Sequence, residues 1–545
     1  MDAPGAARSE VWGAVELIPS RAAYLVGEPV TIELRGEVAA GELMVRRLGE
    51  PVLRVSVDGP GFVPLGALPG GGYGVELDGV RTAIEVHAVG RQPSSLRYGF
   101  AVSYRPDEDV TEVVDTARRL HLTHVQLYDW AYRHADLLGG GPDYLDPLGQ
   151  PVSLDTVRRL ALALQESGIR AIGYAAVYGV GAAEWPSWQH AALMRPTGEP
   201  YALGDFLRVV DPAAPDWLEH VVADLRLAVE QVGLDGFHLD QYGWPKTVVR
   251  ADGVRVDVAS SFAALLARVR ASLPQATLIF NNVNDFPTWA TAGSAQDAVY
   301  IEVWHPHDRL EHLAATVTRA RALGGGTPVV VAAYLTCFAS ETDTRATELA
   351  AAYTMATLFS HGATHLFAGA DGRVLVDPYY PRNHAIGPTT AALLRRWWDF
   401  AVEHGELLFD PAAVEVTASV VGSYNDDLDI TVDGSEVDHL ARPGALWRRV
   451  VRLPDGRLVV HVIDLLDQTD TRWDAPRQQV SVGRVGRIRL RRTGPGMPRV
   501  QVASPEPAPG GSPWLTDVPL EERGDWVEGD LPLGGVWTVV LVDDR

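Results

Sequence analysis

Two acidic residues in the middle of the chain each follow a short apolar run. Asp240 comes after GFHL, and Glu302 lies within YIEVW. Groups that can contact a sugar follow each acid: Gln241 and Tyr242 after the first, and Trp304 after the second. Two carboxyl groups on either side of a glycosidic bond can act as nucleophile and proton donor. The pair therefore indicates a glycosidase, although any one acid after a strand can instead cap a helix or bind an arginine.

These acids need a framework that brings them together, and the region from about 96 to 405 supplies one. It contains eight apolar runs, most of them separated by stretches such as Asp109–Leu122, where apolar residues recur with the helical period. The runs are Arg97–Val102, His124–Tyr128, Ile169–Ala176, Asp235–Leu239, Thr277–Phe280, Ala298–Val303, Pro328–Ala333 and Thr364–Phe367. This count predicts a (β/α)8 TIM barrel. An open, doubly wound sheet is the alternative, but no glycine-rich phosphate loop follows the first run.

In a TIM barrel the active site forms at the carboxyl ends of the strands. Asp240 and Glu302 end the fourth and sixth predicted strands, two steps apart around the barrel. Acids, amides and large aromatic rings follow other strands, a composition typical of a sugar-binding site. The predicted substrate contacts at these strand ends are Tyr128, Asp129, Tyr132, Tyr178, Gln241, Tyr242, Asn282, Trp304, Tyr334 and Asp371.

Other kinds of chemistry find little support in the sequence. His305 and His307 form an H-x-H pair, but they lie in a proline-containing loop, and neither a metal nor a cofactor is predicted. The single cysteine, Cys337, excludes an intramolecular disulfide and a cysteine-based zinc site. The G-x-S-x-G motif of serine hydrolases is absent from the sequence.

Charge and hydropathy narrow the range of partners. The formal net charge of −23 argues against binding to nucleic acid or to an anionic membrane. No run approaches the ~18 apolar residues that a membrane span needs. The first residues lack the basic and apolar regions of a signal peptide. We therefore expect a protein that stays inside the cell, or a secreted one whose leader has been removed; the oligomeric state is not predicted.

The segments on either side of the predicted barrel have a β pattern. Residues 1–95 contain short strand-like runs broken by proline and glycine clusters, a spacing typical of a small β-sandwich. Residues 409–545 return to short strand-like runs, with proline and glycine concentrated at 494–512. The predicted organisation is an N-terminal β-sandwich over 1–95, a catalytic barrel over 96–408 and a C-terminal β-sandwich over 409–545.

Five segments of the barrel region form a recognisable set. They are RYGFAVSY (97–104), VQLYDWAYRH (125–134), DGFHLDQYG (235–243), YIEVW (300–304) and DPYYPRNH (377–384). Together they resemble glycoside hydrolase family 66, which contains dextranases and cycloisomaltooligosaccharide glucanotransferases. The resemblance implies that the N-terminal β-sandwich is immunoglobulin-like and that a β domain follows the barrel.

The resemblance also implies an activity, the retaining cleavage of α-1,6-linked glucan. It gives Asp240 the role of nucleophile and Glu302 that of acid/base. The residues it places against the sugar are Tyr128, Asp129, Tyr132 and His384. Cyclising members of the family carry a carbohydrate-binding module after the seventh strand, whereas here Tyr334 leads within a dozen residues into a helical stretch at 342–361.

The leading hypothesis is an endo-acting, dextranase-like hydrolase of dextran or isomaltooligosaccharides with a covalent glycosyl–Asp240 intermediate. A transglycosylase would use the same residues and differ in whether an acceptor sugar outcompetes water. A retaining exo-α-glycosidase on another α-linked glycan is a further alternative, because melibiase-type barrels also carry acids on strands four and six. A glycan-binding protein with an inactive barrel is the non-enzymatic alternative, but both acids are present.

Overall fold

The computed structural model describes residues 12–88, 95–341, 343–422, 424–494, 496–506 and 511–544. At its centre is an eight-stranded parallel sheet in which neighbouring strands follow the order of the chain. The strands are β1 (Tyr98–Ala101), β2 (His124–Leu127), β3 (Arg170–Ala176), β4 (Gly236–Asp240), β5 (Thr277–Asn281), β6 (Ala298–Glu302), β7 (Val329–Ala332) and β8 (Ala363–His365). The predicted eight-stranded barrel is confirmed.

The sheet curls until its two edges almost meet. Phe100 in β1 forms a parallel bridge with Gly369, which follows β8. The backbone N–H of Ala370 donates to the Phe100 carbonyl at 2.8 Å, and the Thr364 hydroxyl donates to the Leu96 carbonyl at 2.6 Å. These contacts close the barrel nearly completely, so the loops that follow all eight strands surround one rim.

A helix follows each barrel strand. The helices are α1 (Val110–Arg119), α2 (Leu154–Glu166), α3 (Pro215–Val232), α4 (Val258–Ser272), α5 (Thr288–Thr291), α6 (Leu310–Gly324), α7 (Thr344–Ser360) and α8 (Pro388–Glu403). The Asp109 carboxylate caps α1 by accepting from the backbone N–H groups of Thr111 and Glu112. Because α5 is a single turn, the connection between β5 and β6 contains the least helix.

Short strands and turns extend the connections at the rim. Antiparallel pairing joins Asp143–Leu145 to Pro151–Ser153, Leu207–Val209 to both Gly179–Gly181 and Ala202–Leu203, Thr247–Arg250 to both Leu193–Met194 and Arg255–Asp257, and Arg373–Val374 to His384–Ala385. Shorter helical segments lie at Trp185–Trp188, Gln189–Ala191, Val283–Asp285, Cys337–Ser340, Gly405–Leu408 and Thr417–Val420. Apart from Gly405–Leu408 and Thr417–Val420, which follow α8, these pieces lie between a barrel strand and the helix after it, on the side of the rim.

Two antiparallel sheets precede the barrel and share a core of their own. One contains Val15–Pro19, Pro29–Gly36 and Gly61–Ala67. The other contains Gly41–Arg47, Glu50–Val57, Gly71–Leu77 and Val80–His87, with Tyr24–Leu25 pairing in parallel at its edge. Alternate residues of Pro29–Gly36 are buried, namely Val30, Ile32 and Leu34, as expected of a strand with one face toward a core.

Two further sheets follow the barrel. The larger contains Val414–Glu415, Glu436–Asp438, Ala445–Arg452, Leu458–Asp464, Arg499–Ala503, Thr516–Asp517 and Trp537–Asp543. The smaller contains Leu428–Thr431, Val485–Arg491, Glu521–Arg523 and Trp526–Pro532. Apolar side chains from both sheets pack into one cluster. Among the described residues, no helix has the length and apolar character that crossing a membrane requires.

A buried arginine joins the N-terminal sheets to the start of the barrel. Arg97 is 1% exposed and precedes β1. Its guanidinium forms an ion pair with Glu85, in the strand Val80–His87, and donates to the Ala22 carbonyl at 3.1 Å. Since Glu85 is also buried, loss of the arginine would leave a carboxylate without its partner in a poorly solvated place.

We expect Arg97→Met to lower the free energy of unfolding by about 3–5 kcal/mol, because it leaves the buried charge of Glu85 without its arginine partner. Urea denaturation followed by tryptophan fluorescence measures the change. Arg54→Met is the matched control: Arg54 and Glu42 form a 2.7 Å ion pair on the surface, where such pairs contribute about 0–1 kcal/mol. Equal losses of unfolding free energy in the two variants would show that the buried Arg97–Glu85 pair contributes no more to stability than the exposed Arg54–Glu42 pair.

Candidate active site

A cleft of about 630 Å³ opens at the carboxyl ends of the barrel strands. Its floor consists of inward-facing strand residues, and its walls come from the loops that follow β2 to β8. The side chains around the centre of the cleft include Gln126, Tyr128, Tyr174, Asp240, Asn281, Glu302, Tyr334 and Tyr380. The cleft lies where a TIM barrel carries its active site.

Asp240 and Glu302 face each other across Asn281. The three residues end β4, β6 and β5, which are neighbours in the sheet. Asn281 Nδ2 donates to Asp240 Oδ1 at 2.7 Å and to Glu302 Oε2 at 2.9 Å. The separation of these two oxygens therefore cannot exceed the sum of the two distances, about 5.6 Å. The pairing of β4 with β5 and of β5 with β6 fixes this arrangement.

The second oxygen of Asp240 also has a partner. The Tyr174 hydroxyl, on β3, donates to Asp240 Oδ2 at 2.8 Å. Asp240 is thus held from the strand on each side, by Tyr174 and by Asn281. A carboxylate that accepts two such hydrogen bonds is oriented in the cleft before any ligand arrives.

The two carboxyl groups have raised pKa values. Burial raises the pKa of Glu302 to about 7, and the charge of Asp240 adds to the shift, while a hydrogen bond from Asn281 opposes it. Burial also raises the pKa of Asp240, and hydrogen bonds from Asn281 and Tyr174 oppose that rise. One group of the pair can therefore hold a proton near neutral pH while the other is ionised.

Aromatic rings surround this pair below and to one side. His238 stacks between Tyr98 and Tyr174, with ring centroids 6.0 and 6.1 Å apart, and meets Tyr300 edge to face. Burial lowers the pKa of His238 to about 3, so the ring is neutral. Tyr128 stacks on Tyr380 at 4.2 Å. The pair thus sits in a site with few charges, where electrostatic interactions are strong.

Several buried polar atoms in the cleft have no hydrogen-bond partner among the described residues. They are both amide atoms of Gln126, Asp129 Oδ2, His134 Nε2 and Asn281 Oδ1. Asp129 also has a left-handed backbone, with φ of 48°, and burial raises the pKa of its carboxyl well above the usual value. Buried polar groups are normally satisfied, so these atoms are available to hydrogen-bond a polar ligand or ordered water in the cleft.

Eight of the residues predicted from the sequence come together in this cleft. They are Tyr128, Asp129, Asp240, Gln241, Tyr242, Glu302, Trp304 and Tyr334. Gln241 supports the backbone: its amide donates to the carbonyls of Asn281 and Phe286 at 3.0 and 2.9 Å. Trp304 is 38% exposed and lies beside Tyr334, with the ring centroids 5.5 Å apart.

The structure does not bring five other predicted residues into the cleft. Tyr178 is fully buried and donates to the Trp244 carbonyl, and Tyr132 packs on Tyr144. Asp371 lines a separate depression beside α1, and His384 is exposed on a short strand.

Asn282 is the fifth, and strand alternation explains its position. Its neighbour Asn281 faces the barrel interior, so Asn282 points the other way. The Asn282 amide donates to the carbonyls of Phe280 and Tyr300 and accepts from the Thr291 hydroxyl. Its role in the structure is therefore to fasten the end of β5 to β6 and α5.

Six of the cleft residues that were not predicted from the sequence lie around the acid pair. They are Gln126, Tyr174, His238, Asn281, Tyr300 and Tyr380. Four of them are polar residues inside otherwise apolar strands, as in VQL, GYA, FHL and VYI. Such a residue at an inward position of a barrel strand is the signal that could have found them, because an apolar residue would pack more favourably there.

Among the described residues, no group of three or more histidine, cysteine, aspartate and glutamate side chains is arranged to hold a metal ion.

Comparison with known proteins identifies the family. The model of glycosyl hydrolase family 66 matches residues 73–541, most of the chain. The chain belongs to glycosyl hydrolase family 66. This confirms the family predicted from the strand-end segments, and with it an enzyme of the class that acts on glycosidic bonds.

Two curated relatives are cycloisomaltooligosaccharide glucanotransferases of Niallia circulans. They are 26% and 24% identical over 312 and 328 residues, which are 52% and 54% of this chain. The same alignments cover 31% and 33% of the relatives. The chain therefore spans about a third of the length of the curated relatives it matches.

Solved structures support the fold. A cycloisomaltooligosaccharide glucanotransferase of Paenibacillus sp., complexed with cycloisomaltoheptaose, is 18% identical with a TM-score of 0.84, covering 97% of this chain and 99% of that chain. An α-amylase of Geobacillus thermoleovorans, complexed with acarbose, is 12% identical with a TM-score of 0.51, covering 84% and 100%. At these identities the likeness concerns the fold alone.

We expect Gln126→Met to raise the free energy of unfolding by about 1 kcal/mol, because an unpaired buried amide carries a desolvation penalty that an apolar side chain of similar length does not. Urea denaturation of the ligand-free protein measures this. Gln241→Met is the matched control and should lose about 1–3 kcal/mol, since the Gln241 amide bonds two carbonyls. A comparable loss in both variants would show that Gln126 is not a group kept for a ligand.

Proposed function

We propose that this protein is a retaining enzyme that cleaves α-1,6-glucosidic linkages in dextran or isomaltooligosaccharides, with Asp240 as nucleophile and Glu302 as acid/base. The observation that carries the proposal is the pair of carboxyl groups bonded to one amide nitrogen at the floor of a cleft. Family membership supports the reaction class. The relatives named as cycloisomaltooligosaccharide glucanotransferases support the linkage.

The spacing of the two carboxyl groups supports retention. Retaining glycosidases place them about 5–5.5 Å apart, and inverting enzymes about 6.5–9.5 Å apart, to make room for a water. Here Asn281 limits its two bonded oxygens to at most about 5.6 Å. This spacing supports direct attack of Asp240 on the anomeric carbon over activation of a water held between them.

The protonation states divide the roles. Glu302 has the pKa near 7, so it holds the proton that the leaving oxygen needs. Because Glu302 Oε2 accepts from Asn281, the proton is carried on Oε1. In the first step Glu302 gives this proton to the glycosidic oxygen, the C1–O bond breaks, and Asp240 forms an ester to C1. In the second step Glu302 takes a proton from the incoming hydroxyl, whose oxygen displaces Asp240.

Two outcomes of the second step are open to this site, hydrolysis by water and transfer to a sugar. Glu302 gives a proton to the leaving group and takes one from the acceptor. The acceptor must therefore approach C1 from the side of the cleft on which Glu302 lies. Trp304, two residues along and 38% exposed, offers a ring face there for an acceptor sugar. Transfer is therefore a second candidate activity, while the dextranase-like, endo-acting hydrolysis of internal linkages is the first.

We also propose a division of the chain into three domains. An immunoglobulin-like sandwich would occupy 1–95, the catalytic barrel 96–408 and a second β-sandwich 409–545. The two sheets before the barrel and the two after it, each pair with its own apolar cluster, support this division. The short helix Gly405–Leu408 supports the second boundary, because the elements described after it are strands and one further short helix, Thr417–Val420.

Incubation with α-1,6-, α-1,4- and α-1,3-linked glucans tests the activity. We expect cleavage of the α-1,6-linked substrates, with Asp240→Asn and Glu302→Gln each lowering kcat/KM by at least ~10²–10⁴-fold, because each removes an ionisable group and almost no volume. Circular dichroism of both variants controls for folding. A variant that keeps more than about a tenth of the activity would remove that residue from the mechanism.

Proton NMR of the first product, taken in the same incubation, tests the stereochemistry. Two successive inversions at C1 give the α-anomer first. A β-anomer would mean that Asp240 activates a water instead of attacking C1.

The pH dependence of kcat/KM should be bell-shaped, with its alkaline limb near pH 7. Activity requires Glu302 to be protonated, and its pKa is about 7, so activity is lost as the pH rises through that value. Asp240 must be ionised, and its raised pKa places the acidic limb above the ordinary aspartate range. Glu302→Gln, assayed on a substrate whose leaving group needs no proton, should lack the alkaline limb. A wild-type alkaline limb below pH 5 would contradict the assignment.

A further inference from the structure

The side-chain amide of Asn281 is a rigidly held donor that bonds both proposed catalytic groups, Asp240 and Glu302. It is 2% exposed, ends β5 in register with Tyr300 of β6, and its carbonyl accepts from Gln241 at 3.0 Å. Its position is therefore set by the barrel and is independent of any ligand. With the side-chain amide turned around, its carbonyl oxygen would face the two acceptor oxygens, Asp240 Oδ1 and Glu302 Oε2, and both would lose the N–H groups that they accept from.

During the proposed reaction the negative charge moves from one carboxyl group to the other. The total charge of the two groups stays at one negative charge. Before cleavage Asp240 is ionised and Glu302 is neutral. In the covalent intermediate Asp240 is an ester and Glu302 is ionised. When the ester is broken the first state returns. At each stage one N–H of Asn281 faces a full negative charge and the other faces a neutral carbonyl-type oxygen.

We propose that Asn281 is a positioning residue that spaces the nucleophile from the acid/base and stabilises whichever of the two is ionised, and this inference rests on the function proposed above. In the first step, its N–H toward Glu302 Oε2 stabilises the charge left when the proton departs. In the second step, its N–H toward Asp240 Oδ1 stabilises the charge that returns when the C1–O bond of the ester breaks. Hydrogen bonds to ionised oxygens are stronger than those to neutral oxygens. In each step the transition state is therefore stabilised by the N–H that faces the oxygen becoming ionised.

Few other groups that face Asp240 can change its ionisation. Tyr174 on β3 donates to Oδ2, and His238, earlier on β4, is neutral. Tyr242 keeps its proton, because burial raises the pKa of its hydroxyl well above the usual value. Asp129, after β2, is the acidic neighbour, and burial raises the pKa of its carboxyl.

Glu302 faces a similar set on its own side. Burial raises the pKa values of the tyrosine hydroxyls around it, Tyr300 on β6, Tyr334 after β7 and Tyr380 after β8. These hydroxyls remain neutral across the working range. Side-chain hydrogen bonds from Tyr334 and Trp304 also favour the ionised form of Glu302, but among the described residues only Asn281 bonds both carboxyl groups. Loss of the Asn281 bonds should therefore change the ionisation of Asp240 and Glu302 together.

The pH profile of kcat/KM on an isomaltooligosaccharide, measured from pH 4 to 9, tests the inference. Asn281→Ala should lower kcat/KM by ~10²–10³-fold, the loss seen when one donor to a developing charge is removed. Because the Asn281 bond favours the ionised form of both carboxyl groups, both limbs should move to higher pH. Asn281→Ser, too short to reach both groups and with one donor, keeps the test available if the alanine variant does not fold.

Two control variants separate this role from a structural one. Tyr174→Phe removes a donor to Asp240 alone, so the acidic limb should move and the alkaline limb should stay. Asn282→Ala loses the bonds that fasten β5, so it should lower the unfolding midpoint and move neither limb. Unmoved limbs in the Asn281 variants would overturn the inference while leaving Asp240 and Glu302 as the catalytic pair. Full activity in Asp240→Asn or Glu302→Gln would instead overturn the proposed function.

Discussion

The pairing of three neighbouring parallel strands is the constraint on which the site depends. β4, β5 and β6 hydrogen-bond side by side, and each ends on a polar residue that faces the barrel interior. The backbone hydrogen bonds between these strands therefore set the distance between Asp240 and Glu302, and they bring both carboxyl groups within reach of one amide. A shift of one residue in any of these strands would turn its terminal side chain away from the cleft.

The rest of the molecule can be understood as support for that register. Near closure of the barrel, through the bridge from Phe100 to Gly369, holds the sheet in a curve that brings distant strand ends to one rim. The N-terminal sheets are joined to the base of the barrel by the buried Arg97. On the rim, Gln241 holds the carbonyls of Asn281 and Phe286, so the strand end and the loop after it move as one unit.

Much of this was predictable from the sequence, because strands and helices of a barrel carry clear periodic patterns. The eight strands, the family and the two facing acids followed from apolar runs and from the residues at their ends. The choice between Asn281 and Asn282 did not, because two adjacent amides at a strand end look alike until the register decides which one faces inward. Asp371 and His384 lie beyond β8, where the chain leaves the sheet and position along the sequence no longer indicates position in space.

The shared amide has a consequence for the recognition of small molecules. The floor of the cleft carries one negative charge in every stage of the proposed cycle, and the aromatic walls leave little water to screen it. A neutral sugar ring gains nothing from this charge in the ground state, whereas a ring that bears a positive charge near its anomeric position is attracted to it. Ring amines shaped like glucose should thus be held more tightly than glucose itself.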